Sequence, residues 1–282
     1  MLAPIVIFAF NRPDSLANLL GDLDRDPLFR QSDKYIYVDG CRNAADEEKQ
    51  KSVVEIAKGS GAVVTVSDHN KGLGTSIISG VSDVVMRYDR VIVLEDDLRC
   101  IPGFLTYMNQ ALDTYEQDKR IISVCGYGLK VKRPAGYDYG DVYLSPRSSS
   151  WGWGTWLDRW QLVDWNVSDW ERLKRDRKKQ KGFNRGGSDM YGMLKGYMEG
   201  RNRSWAIRFC YSQYKHGLYS VHPFRSFVVN EGFGDNATNC RQRWSRFKIA
   251  KAADNEVIIT PSNLLPNEFI FKRLRWYHSI PL

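Results

Sequence analysis

The sequence predicts an α/β fold, a mainly parallel sheet flanked by helices. Short β-branched and aromatic runs alternate with stretches of helical apolar spacing through the first third of the chain, and each run ends in a polar cluster. With 282 residues, 43% hydrophobic and 26% charged, the chain can bury one large core or two small ones, which excludes disordered, collagen and coiled-coil classes.

The elements follow in order. Ala3 to Phe10 is a buried strand ended by Asn11-Arg12-Pro13-Asp14, and Leu16, Leu19, Leu20 and Leu23 then recur at helical spacing up to Asp26-Pro27. Tyr35 to Val38 is a second strand, closed by Asp39-Gly40 and followed by a helix from about Ala44 to Gly59. Ala62 to Val66 is a third, and Thr75 to Met86 is helical before the Tyr88-Asp89 turn. Arg90 to Leu94 is a fourth strand, stopping at Glu95-Asp96-Asp97. Beyond residue 140 the periodicity weakens, and six of the nine tryptophans crowd between Trp151 and Trp170. No tandem repeat is present.

Charge is divided unevenly. Residues 1–170 carry 19 Lys and Arg against 24 Asp and Glu, whereas residues 171–282 carry 22 against 9, so a basic half follows an acidic one. Nucleic acid, an anionic membrane surface or a phosphorylated ligand would each suit such a half. Five well-separated cysteines, with no CxxC pair, read as reduced core thiols. No apolar run reaches the roughly 20 residues that span a bilayer, and the N-terminal residues do not resemble a cleavable signal. The expectation is a cytoplasmic protein.

In parallel sheets ligands bind at the carboxyl ends of the strands, where Arg12, Asp39 and Glu95-Asp96-Asp97 fall. Three consecutive carboxylates call for a cation, and Mg2+ or Mn2+ held by one or two of them takes further ligands from water and substrate phosphates; a solvated acidic turn is the plainer reading. Asp39 can accept hydrogen bonds from a base or ribose and Arg12 can meet a diphosphate, although an Asp-Gly turn and a surface arginine are each common. His69 to Gly74, with Asn70 and Gly74, lies between a strand and a helix, where glycines let backbone approach a nucleotide and the helix start faces phosphate. It reads equally as an ordinary glycine turn. Trp151, Trp153 and Trp156, interleaved with glycine, suit either a sugar-stacking wall or an aromatic core. The basic stretch from Arg172 to Lys181 reads as a solvated face. Arg241 to Lys251 and Phe269 to Tyr277 mix cations with bulky apolar groups as membrane-surface segments do.

These motifs, in this order, resemble the metal-dependent nucleotide-sugar glycosyltransferases of the GT-A fold, and more closely the inverting N-acetylglucosaminyltransferase I family and bacterial relatives in surface-polysaccharide assembly. The resemblance runs from Pro4 to about Gly234. It implies a Rossmann-like nucleotide-sugar half (1–127), an acceptor half of the same domain (128–240) and a basic amphipathic C-terminal segment (241–282). It further implies a donor site of Phe10, Arg12, Asp39, Asn70, Gly74, Glu95 and Asp96, with Asp97 on Mn2+ or Mg2+.

The donor implied is a nucleotide diphosphate sugar, most often UDP-linked. The acceptor is a saccharide or a polyprenyl-diphosphate-linked saccharide, at the inner face of a bacterial membrane and peripheral to it, with no nucleic acid partner. The family's Trp-Asp-Asp-Trp base segment aligns with Trp205-Ala206-Ile207-Arg208, which adds Trp205 to the wall but supplies no aspartate. Asp189 is therefore the first candidate base, with Asp158 and Glu231 as rivals. Asn239 stands where many relatives carry a metal-binding histidine, and His69 and His216 read as structural. Two other classes compete: a sugar-1-phosphate nucleotidyltransferase, whose opening phosphate loop is missing here, and a non-catalytic carbohydrate-binding module, which leaves the acidic triplet without a role.

Overall fold

A computed structural model describes residues 1–232, 251–252 and 254–279, and helices pack against both faces of its main sheet. The strands are β1 (Ile5–Ala9), β2 (Lys34–Val38), β3 (Val63–Val66), β4 (Arg90–Glu95), β5 (Leu98–Cys100), β6 (Ile121–Cys125), β7 (Val142–Ser145), β8 (Trp153–Trp156), β9 (Tyr219–Pro223) and β10 (Val228–Asn230). Eight form one sheet in the order β3-β2-β1-β4-β8-β6-β9-β7, and β5 and β10 make a separate antiparallel ribbon. Only β8 and β7 run against the rest of the large sheet. The predicted class, a mainly parallel sheet flanked by helices, is the one observed.

All five residues of β1 are buried, because both faces of the sheet are covered. Ile5, Ile7 and Ala9 pack with Leu16, Leu19 and Leu23 of the helix Pro13–Leu23; Val6 and Phe8 point the other way, into Ile77, Val81 and Val84 of the helix Leu73–Tyr88. The strand β3 forms the outer edge, with Val63 and Val66 exposed.

The Trp-Gly run proves to be a central strand. Trp153-Gly154-Thr155-Trp156 is β8, wedged antiparallel between β4 and β6, and alternation sends Trp153 into one core and Trp156 into the other. Trp153 lies against Trp160, Trp205 and Phe209, while Trp156 lies under the Arg159 guanidinium, 4.5 Å from its ring. With Trp153, Trp156 and Trp205 at 1%, 2% and 5% exposure, no indole face is left for a sugar at these three positions, and that part of the expected wall is corrected. Trp151 alone of the four is partly exposed, packed edge-on against Tyr127.

Past Asp97 the chain enters β5, which is anchored to the first helix by Asp22. This buried carboxylate accepts from Arg99 Nε at 2.6 Å, Arg99 Nη2 at 3.0 Å and the Cys100 amide at 3.2 Å. Cys100, Cys125 and Cys210 are buried free thiols, and Cys41 is half-buried. Among the described residues no helix is long and apolar enough to cross a membrane.

Replacing Asp22 with Ala leaves the Cys100 amide without its acceptor and the Arg99 guanidinium with Glu231, 3.5 Å away, as its remaining acidic partner among the described residues. Loss of one partner of a buried pair costs about 3–5 kcal/mol, and partial exposure of Arg99 reduces this to about 2–3 kcal/mol. Urea unfolding of Asp22→Ala should show that loss; a change under about 0.5 kcal/mol would remove Asp22 as the anchor of β5.

Candidate functional site

The parallel register of β1, β2 and β4 places three polar clusters on one rim. Ala9 lies opposite Val38 and Phe8 opposite Glu95, so Phe10, Asp39 and the acidic triplet emerge together. The Asp96 amide donates to Phe8 O, and the Phe10 amide donates to Asp96 Oδ2 at 3.1 Å, which fastens the turn to the end of β1. Arg12, on the loop before the first helix, reaches across with Nη1 3.0 Å from Asp97 Oδ2 and 3.9 Å from Asp96 Oδ1.

One guanidinium does not neutralise three carboxylates. Burial, then the Asp97 and Asp96 charges, push Glu95 well above the usual carboxylate range. Burial, then the Asp97 charge, raise Asp96 to about 7 against the pull of Arg12, and burial raises Asp97 as well. The loop after β10 closes over Asp97 from the other side. Glu231 N–H donates to Asp97 O at 2.9 Å, and Asn230 Nδ2 lies 3.5 Å from Asp97 Oδ1. A Cβ at Gly232 would fall 2.3 Å from Asp97 Oδ2, so any other residue there would push the Asp97 carboxylate out of this position.

The cluster fits a hard divalent cation. Among the described residues no three His, Cys, Asp or Glu side chains converge as a ready-made cage. Mg2+ or Mn2+ shared with substrate phosphates needs only one or two protein carboxylates, and the excess negative charge at the rim favours it. Asp97 is the more accessible of the two aspartates that Arg12 meets, so of the two it is the one a cation from solvent could reach.

Asp39 organises the neighbouring loop. Its carboxylate accepts from the amides of Gly40 (2.9 Å), Lys71 (2.8 Å) and Gly72 (2.9 Å) and from Asn70 Nδ2 (3.2 Å). Asn70 Nδ2 also donates to Gly40 O at 2.8 Å, which folds the loop back over the end of β2. Gly72, at φ +76°, then opens the helix Leu73–Tyr88 toward the rim. Gly74 sits in that helix's first turn, where a Cβ would lie 3.4 Å from Trp205 Cβ, so its immediate surroundings are those of a helix contact.

A cation missed in the sequence lies beside Phe10. The Arg42 guanidinium stacks 4.8 Å from the Phe10 ring centre and is gripped by Asp46, which also accepts from Asn11. The Arg42 and Asn11 hydrogen bonds hold the Asp46 carboxyl down at about 2, against its burial. The spacing of Asp39-Gly40-Cys41-Arg42 carries the signal, since residues just past a strand end still face the rim.

The three base candidates are scattered. Asp158 is paired with Lys119 and Arg159 beyond the end of β8. There Trp156 lies opposite Arg90 and the Leu157 amide donates to Asp89 O, at the end of β4 away from Glu95, so Asp158 is corrected: the sheet separates it from the rim. Asp189 is bound to Arg147 Nη1 at 2.7 Å, and Arg147 outweighs burial to hold the carboxyl below its usual range. Glu231 belongs to the loop clasping Asp97, is half exposed and lies 3.5 Å from Arg99. Asn239 and most of the Arg241 to Lys251 stretch lie outside the described residues.

No protein-family model matches the chain. It is 29% identical over 99 residues to an alpha-1,3-mannosyl-glycoprotein 2-beta-N-acetylglucosaminyltransferase of Arabidopsis thaliana, covering 33% of this chain and 22% of that protein. Among solved structures it is similar to GalNAc-T7 with UDP, GalNAc and Mn2+ (TM-score 0.48, 9% identity, 81% of this chain and 44% of that one). It is also similar to a Pyrobaculum calidifontis mannosyltransferase with GDP-Man and Mn2+ (0.40, 9%, 77% and 70%) and to S. aureus TarS (0.42, 10%, 81% and 36%). The match spans about a fifth of the curated relative's length and under half of the GalNAc-T7 chain.

The raised Asp96 pKa fixes a pH response. A carboxyl at about 7 when folded and 3.8 when unfolded favours the folded state fully below the unfolded value, and that advantage is lost as pH rises through about 7. Asp96→Asn keeps an acceptor for Phe10 N–H and removes the charge. In metal-free buffer it should match the wild type near pH 4 and be more stable by on the order of 2 kcal/mol near pH 8, as read by thermal melts. Equal stability at both pH values would contradict a strained carboxylate cluster.

Proposed function

We propose that the protein is a metal-dependent glycosyltransferase of the GT-A type, transferring a sugar from a nucleotide diphosphate donor, UDP-linked, to a saccharide or lipid-linked saccharide in bacterial surface-polysaccharide synthesis. The single observation that carries this reading is the convergence of the Arg12–Asp97 pair with the Asp39-ordered loop on one rim of a parallel sheet. An isolated carbohydrate-binding module has no use for a buried, mutually repelling acidic triplet, and a nucleotidyltransferase requires a phosphate loop that Phe10-Asn11-Arg12-Pro13 does not provide.

In this reading Asp97 would hold Mn2+ or Mg2+ together with the donor diphosphate. When bound, the ion supplies Lewis-acid stabilisation of the leaving phosphate charge. Arg12 adds fixed positive charge beside it. The loop ordered by Asp39 presents backbone to the nucleotide, and the helix opening at Gly72 directs its positive end at the rim. Phe10, flanked by Arg42, offers a flat surface for the base. The acceptor enters on the side of Trp151 and the Arg147–Asp189 pair. A carboxylate takes the proton of the acceptor hydroxyl as that oxygen bonds to the anomeric carbon and the bond from that carbon to the donor diphosphate breaks, inverting the centre and releasing the nucleoside diphosphate.

For that base the geometry favours Glu231 over Asp189. Glu231 is half exposed beside Asp97, whereas Asp189 is committed to Arg147 and is a weaker proton acceptor for it. Asp189 then serves to orient Arg147 on the acceptor side.

Thermal melts with a panel of nucleotide sugars, each with Mn2+ or with EDTA, test the donor site. One UDP-sugar should raise the midpoint only with metal, and Asp97→Asn should abolish that shift without unfolding the protein. No shift with any donor would reject the reading. In assays of nucleotide release with acceptor, Glu231→Gln should retain the shift and lose about 10²–10⁴-fold in rate. If Asp189→Asn shows that pattern instead, Asp189 is the base.

A further inference from the structure

The C-terminal helix Glu268–Tyr277 has a buried face and an outward face of distinct character. Ile270, Phe271 and Leu274 face the core; Phe271 stacks on Tyr219, and the helix is tied to the segment before Asp189 by an Arg185–Glu268 ion pair. The exposed residues of the helix are Glu268, Phe269, Lys272, Arg273, Arg275 and Trp276. At about 100° per residue Lys272, Trp276, Phe269 and Arg273 fall in that order in an arc of about 100°, so two aromatics lie between two cations, with Glu268 and Arg275 beyond Lys272.

Phe269 is 42% and Trp276 58% exposed, the Arg273 guanidinium lying 5.3 Å from the Phe269 ring. The approach to the helix continues the pattern. Of the eleven large hydrophobics that are exposed among the described residues, five fall between Val257 and Trp276, the others in this stretch being Ile259 and Leu265.

We infer that this outward face is a docking surface for an anionic lipid bilayer. Aromatic rings partition into the headgroup region, and flanking lysine and arginine side chains reach to lipid phosphates, the arrangement this arc presents. The charge supports the same occupant, since residues 171–282 carry 22 cationic against 9 acidic side chains. Glu268 is the one acidic side chain on the helix's exposed face; it lies between Arg275 and Lys272 and is paired with Arg185. A protein partner or a second copy would have to bury Lys272 and Arg273 against acidic groups, whereas a headgroup layer accepts them solvated. The inference stands apart from the donor-site reading, because it concerns binding alone.

Co-sedimentation of the full chain with vesicles of phosphatidylcholine, with and without phosphatidylglycerol, tests it. The wild type should bind the phosphatidylglycerol vesicles, release as salt rises, and show a blue shift of tryptophan emission that is lost in Trp276→Phe. Lys272→Glu with Arg273→Glu should weaken binding by at least about fivefold per charge, and Phe269→Ser with Trp276→Ser should weaken it at every salt concentration. Lys49→Glu with Lys51→Glu, on an exposed helix of the other half, should not change it by more than the loss of net charge allows. Melting midpoints equal to the wild type's keep a folding defect out of the comparison. Wild-type protein that stays in the supernatant, or surface variants that bind as the wild type does, would overturn the proposal; so would a concentration-dependent dimer lost in Trp276→Ser without any change in vesicle binding, which would make the face a contact between copies.

Discussion

The arrangement of the rim follows from one constraint: three consecutive carboxylates end a strand that is buried on both sides. Ionising such a cluster is costly without a cation, and Arg12 supplies only one positive charge, from a loop that β1 must deliver to the right place. That requirement links β1 to β4 through the Phe8 and Phe10 backbone contacts with Asp96, and it leaves a surplus of negative charge that a divalent ion would satisfy. The ribbon of β5 and β10, with Asp22 at its base and Gly232 at its tip, holds the Asp97 side of the turn in place.

The neighbouring loop shows a different use of a carboxylate. Asp39 accepts four hydrogen bonds, three of them from main-chain amides, so its charge is spent in shaping the backbone between residues 40 and 72. A ligand arriving at the rim therefore meets a preformed surface, and the ordering cost is met in folding rather than at binding.

Much of this was legible in the sequence. The strands β1, β2 and β4 are apolar runs with clear polar ends, so the rim position of Arg12, Asp39 and Glu95 to Asp97 followed from topology. The four residues of β8 did not announce a strand, because Trp-Gly-Thr-Trp is too short for its alternation to outweigh the look of an exposed aromatic loop. Its burial depends on β4 and β6, which lie far off in sequence. The ribbon was invisible for the same reason: three-residue strands paired across more than a hundred residues leave no local pattern. Asp158 was misplaced because its end of the sheet was set by the antiparallel direction of β8, and the hold of Asp39 on the amides of Lys71 and Gly72 has no side-chain signature at all.

The most direct test of a rim built for a cation shared with a diphosphate is to follow free Mn2+ by electron paramagnetic resonance as protein is titrated in, with and without UDP. Asp97 offers a single carboxylate, so strong uptake should require UDP, and Asp97→Asn should eliminate it. Uptake that is as strong without UDP, or that survives Asp97→Asn, would contradict the account.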